Sequence, residues 1–316
     1  TTLFRSLLIE NIRQLPVETQ QLLQLAACIG NYFSLQLLAV INQQSSTLTN
    51  QQLWPALQAG LILLHSDINA EVLEYKFLHD RVQQAAYTLI SQPKKTAIHL
   101  KIGKFLQAEM NRKQTEKKLF ILVNQLNLAQ DLITSPSQKN QFVKLNLRAG
   151  KKAKIATAYS LAANYLKISQ KFLPQDSWST QYDLTYQIYL ERAEIEYLNT
   201  NFTEVSQLCE ESKKRCKTKL DYVDFLKIEI QVNLAQGNID NAINIGVDAL
   251  ENLEIPLINS PPKLEIDQLS TLGEMTNPCT LCAMEILNLI MPPACYSESD
   301  LALPIVYTML DLSLQY

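Results

Sequence analysis

The sequence predicts a mostly α-helical chain with one small β-hairpin near its start. Three observations carry this. Only seven glycines occur in 316 residues, too few for a sheet-rich fold with many tight turns. From residue 92 to the end, apolar residues recur at helical spacing, interrupted by short clusters of Pro, Gly, Asn and Ser. Only two short runs, 61–64 and 73–78, read as strands.

The elements follow in order. Leu15-Pro16 opens a first helix, with Leu22, Leu23, Leu25, Ala26 and Ile29 on one face and Gly30 as its stop. Asn31 or Ser34 caps a second over 35–41. Thr47 or Thr49 caps a third, through Leu53, Trp54 and Leu57 to Gly60. The strands 61–64 and 73–78 then flank a polar turn at 65–71. Asp80 caps a helix over 81–90 that buries Val82, Ala85, Ala86, Leu89 and Ile90. Three helices followed by a hairpin is the outline of a winged helix, so 1–93 reads as one domain. DNA reading is disfavoured, because the third helix, TLTNQQLWPALQAG over 47–60, has neither Lys nor Arg for phosphate.

Residues 94–316 read as a second domain of paired helices. Pro93 precedes a helix to about Met110, and 117–133 forms another with Phe120, Ile121, Val123, Leu126 and Leu128 as its apolar positions. Breaks fall at 135–137, 174–177, 199–201, 237–238, 258–262 and 291–293. Gly150, Ala162, Leu166, Ser169 and Pro174 follow the spacing of a tetratricopeptide unit. Thr200, Phe202, Val205 and Ser212 follow it more weakly, and Gly237, Ile239, Ala242 and Ala249 follow it best. The anchors Ala162, Val205 and Ala242 are 43 and 37 apart, against about 34 in a regular array. An irregular, tetratricopeptide-like superhelix is expected, stacked because no single pair can bury its apolar face alone. Its concave face is the expected place for a peptide or another domain of the same chain.

Charge is segregated. Residues 1–93 carry −2, residues 94–171 carry +13 and residues 172–316 carry −14, within a total of −3. Residues 19–66 carry no formal charge at all, which points to a surface that packs against a neighbouring domain. The basic stretch holds Lys94-Lys95, Arg112-Lys113, Lys117-Lys118, Arg148, Lys151, Lys152 and Lys154. Few aromatics accompany them, so nucleic acid is a poor fit. A solvated face paired with the acidic stretch after 172 is the plainer expectation.

No phosphate loop, G-x-S-x-G, H-E-x-x-H or kinase signature is present. The three histidines, His65, His79 and His99, lie in the first third. Cys279 and Cys282 make the one C-x-x-C, with Cys209 and Cys216 in a different repeat and no His nearby, so buried thiols are expected rather than a metal site. Six scattered cysteines fit a reducing cytoplasm. Purely apolar runs reach four or five residues, so no membrane-spanning segment is expected, and no signal peptide is visible. The Thr1 start and a helix running out after Pro304 are those expected of a piece of a longer protein.

Five stretches together resemble a known family: QQLLQLAACIGN over 20–31, YKFLHDRVQQAAYTLI over 75–90, VNQLN over 123–127, LNLRAGKKAK over 145–154 and ATAY over 156–159. They resemble the large cyanobacterial hybrid sensor kinases. Those carry a serine/threonine kinase, a STAND-class AAA ATPase, a helical repeat region, a GAF domain and a histidine kinase. The resemblance implies that this chain is the stretch just after the ATPase core. It implies ATP or ADP with Mg in the parent, no cofactor in this segment, and no catalytic residue here. In that ATPase class a Met-His-Asp motif closes the winged helix, and its His touches the β-phosphate of ADP. Leu78-His79-Asp80 looks like that motif with Leu for Met, which assigns nucleotide sensing to His79 and Asp80. A stand-alone peptide-binding adaptor is the alternative, with a nucleic-acid binder through 94–171 as a third reading.

Overall fold

The computed structural model describes residues 2–65, 73–113, 118–263 and 273–315, without the side chains of 2–4 and 111–113. The turn expected over 65–71 lies outside the described residues from 66 on, as do Lys117 and the side chains of Arg112 and Lys113. The chain divides into two compact units, Thr1–Leu145 and Asn146–Tyr316.

The first unit opens with α1 (Thr2–Arg13), α2 (Val17–Ile29), β1 (Tyr32–Ser34), α3 (Leu35–Asn42) and α4 (Ser46–Gln58). It continues through β2 (Ile62–Leu64), β3 (Glu74–Phe77), α5 (Asp80–Thr88), α6 (Gln92–Lys113), α7 (Leu119–Leu128) and a 3-10 turn, Gln130–Leu132. The sheet has three strands rather than the two of a hairpin. β3 is central, with β1 antiparallel on one side (Phe33 opposite Tyr75) and β2 on the other (Leu63 opposite Lys76). Ser34 ends β1 and caps α3 by accepting from the Leu37 N–H at 3.2 Å. Ser45, not Thr47 or Thr49, caps α4, and Thr49 is buried within that helix. Leu22, Leu23, Leu38, Leu53, Ile62, Phe77 and Ala85 meet in one core that seats the sheet on the helices. Compactness places the division after the expected boundary at 93/94, because α6 and α7 pair and α6 packs on α2 and α3. Gly103 permits the α6–α7 approach, since a Cβ there would meet Leu126 Cδ2 at 2.5 Å.

The second unit begins inside α8 (Pro136–Ile155). It then runs α9 (Tyr159–Lys171), α10 (Ser177–Thr180), α11 (Tyr182–Leu198), α12 (Phe202–Lys213), α13 (Lys219–Ala235), α14 (Ile239–Asn252), α15 (Pro278–Tyr296) and α16 (Ala302–Leu314). Helix pairs stack as the repeat spacing predicts. Three within-pair turns share one backbone geometry. Thr157 (φ 56), Thr200 (φ 61) and Gly237 (φ 77) are left-handed. Each is followed by a residue near φ −85, ψ 63 that starts the next helix: Ala158, Asn201 and Asn238. Each of those residues donates its N–H back into the preceding helix, to Ala153, Glu196 and Asn233 carbonyls at 2.8 to 2.9 Å. This closes the helix end and leaves few orphan carbonyls. Ala162, Val205 and Ala242 follow at equal spacing, all buried. Gly150 admits Leu166, whose Cγ would lie 2.8 Å from an added Cβ.

α15 is the one helix among the described residues long and apolar enough, by length and composition alone, to cross a membrane, although no unbroken apolar run exceeds five residues. Its Ala283, Ile286, Leu287, Ile290 and Ala294 side chains pack into the core with Ile243, Leu250 and Ile305.

Candidate functional site

The His79–Asp80 pair sits where β3 runs into α5. Phe77 anchors the strand end from the core, its N–H donating to the Asn31 carbonyl at 3.0 Å. Leu78, His79 and Asp80 then emerge to solvent. The structure makes His79, not Asp80, the cap of α5. His79 is extended (φ −149, ψ 145), and its Nδ1 accepts from the Arg81 N–H at 3.2 Å. Asp80 is instead the first helical residue, where its carboxylate complements the positive end of the helix dipole. A ring nitrogen that accepts an N–H carries no proton, so the ring proton lies on Nε2. The exposed edge of His79 is therefore a hydrogen-bond donor.

The far end of α5 enters a buried polar chain. Tyr87 donates its hydroxyl to His99 Nε2 at 3.0 Å, and His99 Nδ1 donates to Gln125 Oε1 at 2.7 Å. Gln125 Nε2 donates in turn to the Cys28 and Ile29 carbonyls, at 3.0 and 3.4 Å, which end α2. His99 is 2% exposed. Burial pushes its pKa down, against the Gln125 hydrogen bond and together with the Lys95 charge. The chain ties α2, α5, α6 and α7 together. Only His99, as one histidine among three, and the VNQLN stretch pointed near it.

The uncharged stretch 19–66 leaves an apolar surface. Trp54 on α4 is 58% exposed, and Tyr32, Val40, Leu48, Leu63 and Leu64 are exposed as well. α4 carries no cation, as read from the sequence.

In the second unit, several bases of the basic stretch meet acids of the acidic one. Lys154 bridges Glu191 at 2.9 Å and Glu194, and Lys151 lies 3.5 Å from Glu191. Burial works against the Lys154 ammonium, but the bonds to Glu194 and Glu191 outweigh it and raise its pKa. Further along, Lys227 lies 2.7 Å from both Asp224 and Glu285, again with a raised pKa despite burial. Glu196 is 0% exposed and faces Lys167 at 3.1 Å and Asn201 Nδ2 at 2.6 Å.

Cys279 and Cys282 both lie on α15, with Cys282 buried. Burial pushes the Cys282 and Cys216 thiols up to about 11, and those of Cys28 and Cys209 up to about 12. These four thiols stay protonated at neutral pH and are poor nucleophiles. Among the described residues, no three His, Cys, Asp or Glu side chains are placed so as to hold a metal ion.

Known proteins resemble the chain in two ways. It is 25% identical to the hybrid signal transduction histidine kinase G of Dictyostelium discoideum, over an alignment of 300 residues. That alignment takes in 77% of this chain and 9% of the relative, so the chain spans a small part of that kinase's length. Among solved structures, a STAND protein with a tetratricopeptide repeat sensor from Pyrococcus horikoshii matches with a TM-score of 0.40 and 11% identity, over 99% of this chain and 47% of that one. No family model matches.

Proposed function

We propose that the chain is a non-catalytic regulatory and scaffolding segment of a longer, cytoplasmic signal-transduction kinase. Residues 1–93 act as the winged helix of a STAND-class AAA ATPase, and residues 94–316 as a repeat arm that contacts partner domains. Similarity to a hybrid histidine kinase supports the signalling assignment. The three-strand sheet packed on α2, α3 and α4 supports the winged helix. Its uncharged face with Trp54 exposed is the surface for a neighbouring domain of the same chain.

The observation that carries the reading is His79. It sits in the open at the strand-to-helix junction, with Nδ1 already occupied and Nε2–H left as donor. A β-phosphate oxygen is the acceptor such a donor favours, and the parent supplies ATP or ADP with Mg. A hydrogen bond to a charged group contributes about 1.5–3 kcal/mol, so losing it weakens ADP by about tenfold or more. His79→Ala in the full-length parent is expected to show that loss in calorimetric ADP titration. Unchanged affinity would instead favour a stand-alone peptide-binding adaptor. ATP hydrolysis or protein phosphorylation by the isolated 316 residues would remove the non-catalytic assignment.

A further inference from the structure

In the first unit α2, α3 and the start of α6 meet around an open pocket of about 290 Å³. Its floor is apolar, formed by Leu25, Ile41 and Ile98. Lys94 and Lys101 stand exposed at its edge, and among the described residues no carboxylate lines it. The uncharged stretch 19–66 accounts for that imbalance, because it supplies the walls formed by α2 and α3. Glu18, one turn before Gln21 on α2, makes no ion pair with either lysine. Among the described residues Lys94 donates only to Gln24 Oε1, at 3.5 Å, and Lys101 has no side-chain partner. The carbonyls that end α3 are turned to the Gln43 and Gln44 N–H groups, at 3.2 and 3.1 Å, so they add little negative potential. Two side-chain amides, Gln21 and Gln43, line the pocket and make no hydrogen bond among the described residues. The lysines are seven residues apart on α6, about two turns or 10 Å. Ala97 and Ile98 fall between them on the same face. The wall therefore reads cation, apolar, cation.

We infer that this pocket binds a small organic dianion with an aliphatic middle, a straight-chain dicarboxylate. One carboxylate meets Lys94 and the other Lys101, while the methylene chain covers Leu25, Ile41 and Ile98. Gln21 and Gln43 donate their amide N–H groups to the carboxylate oxygens left over. Charge selects the occupant, because the two cations have no acid to neutralise them. The volume is on the scale of a small ligand. No aromatic side chain lines the pocket among the described residues, so a nucleotide base has nothing to stack on. The site stands apart from His79, and the inference does not depend on nucleotide sensing there.

The test is a titration of the 316-residue chain with suberate, followed by backbone amide chemical shifts in solution NMR. Shifts are expected at Gln21, Gln43, Ala97 and Lys101, and not at His79. Octanoate, of the same length with one charge fewer, is expected to bind about two- to fivefold more weakly, the effect of one exposed ion pair. Diaminooctane, with the charge reversed, is expected to leave those amides unmoved. Lys94→Gln and Lys101→Gln are each expected to weaken suberate by the same factor and to bring it level with octanoate. Lys139→Gln, exposed on α8 and outside the pocket, is expected to change nothing. Equal weakening by Lys139→Gln overturns the proposal, because the attraction is then diffuse. Octanoate or inorganic phosphate matching suberate at these amides overturns the two-ended assignment. So does a short Glu-Leu-Leu-Glu peptide that moves them where suberate does not. The absence of localised shifts at about 20 mM suberate, well above the roughly millimolar affinity expected for a ligand of this size, overturns the site itself.

Discussion

His99 shows how one side chain fixes a local design. A buried imidazole needs partners on both nitrogens, and Tyr87 and Gln125 supply them. Its pKa lies below the ordinary 6.5, so between the two values the unfolded chain binds a proton that the folded one refuses. Stability therefore falls as pH drops below about 6.5. That fall is expected to be smaller in His99→Gln, compared by urea midpoints at about pH 7.5 and 5.5. Glu196 makes a similar demand. It is 0% exposed and sits among Lys167, Arg192 and Asn201. Replacing it by Leu takes the acceptor from Asn201 Nδ2, while Arg192 keeps Glu204 and Gln170, and is expected to lower stability by about 1–3 kcal/mol, read from the same denaturation curves.

At the scale of elements, the shared turn of α8–α9, α11–α12 and α13–α14 has a measurable consequence. All three turns require a left-handed residue, yet only one of them supplies glycine. Threonine is β-branched and pays for that conformation with about 1–2 kcal/mol. Thr200→Gly is expected to raise stability by about 0.5–1 kcal/mol, after the entropy that glycine loses is subtracted. Thermal denaturation of the single variant checks this. Two of these turns were legible in the sequence, because Asn199-Thr200-Asn201 and Gly237-Asn238 break helical periodicity, whereas the one at Thr157 carries no such break. β1 was not legible. Its three residues are too few for an alternating pattern, and its partner β3 lies some forty residues later, with Phe33 opposite Tyr75. The apolar face of α7 was read in part, with Val123 and Leu126 buried as expected. Ile121 and Leu128 are 50% and 54% exposed, while Leu119, Leu122 and Gln125 are buried. A polar residue took a core position because His99 gave it a partner.

At the scale of the whole molecule, the charge segregation decides what the basic stretch is available for. Lys151, Lys154 and Lys167 are engaged by Glu191, Glu194 and Glu196 within the second unit. A base already paired releases fewer counterions on meeting phosphate. The chain is therefore expected to bind labelled duplex DNA and single-stranded RNA weakly even at low ionic strength. Anisotropy titration with a steep salt slope would instead revive the nucleic-acid reading.

The sequence by itself determined the helical class, the repeat anchors Ala162, Val205 and Ala242 with their 43- and 37-residue spacing, and the position of His79 between strand and helix, because each depends on local periodicity and turn chemistry, whereas the break expected at 291–293 is absent because α15 runs through Pro292 and Pro293. Tertiary structure alone decided the third strand, the Tyr87–His99–Gln125 chain, the ion pairs between basic and acidic stretches, and the choice of His79 over Asp80 as helix cap. Most of these depend on groups far apart in the sequence. The cap depends on the φ and ψ at which β3 delivers the chain to α5, which the packing of Phe77 in the core sets.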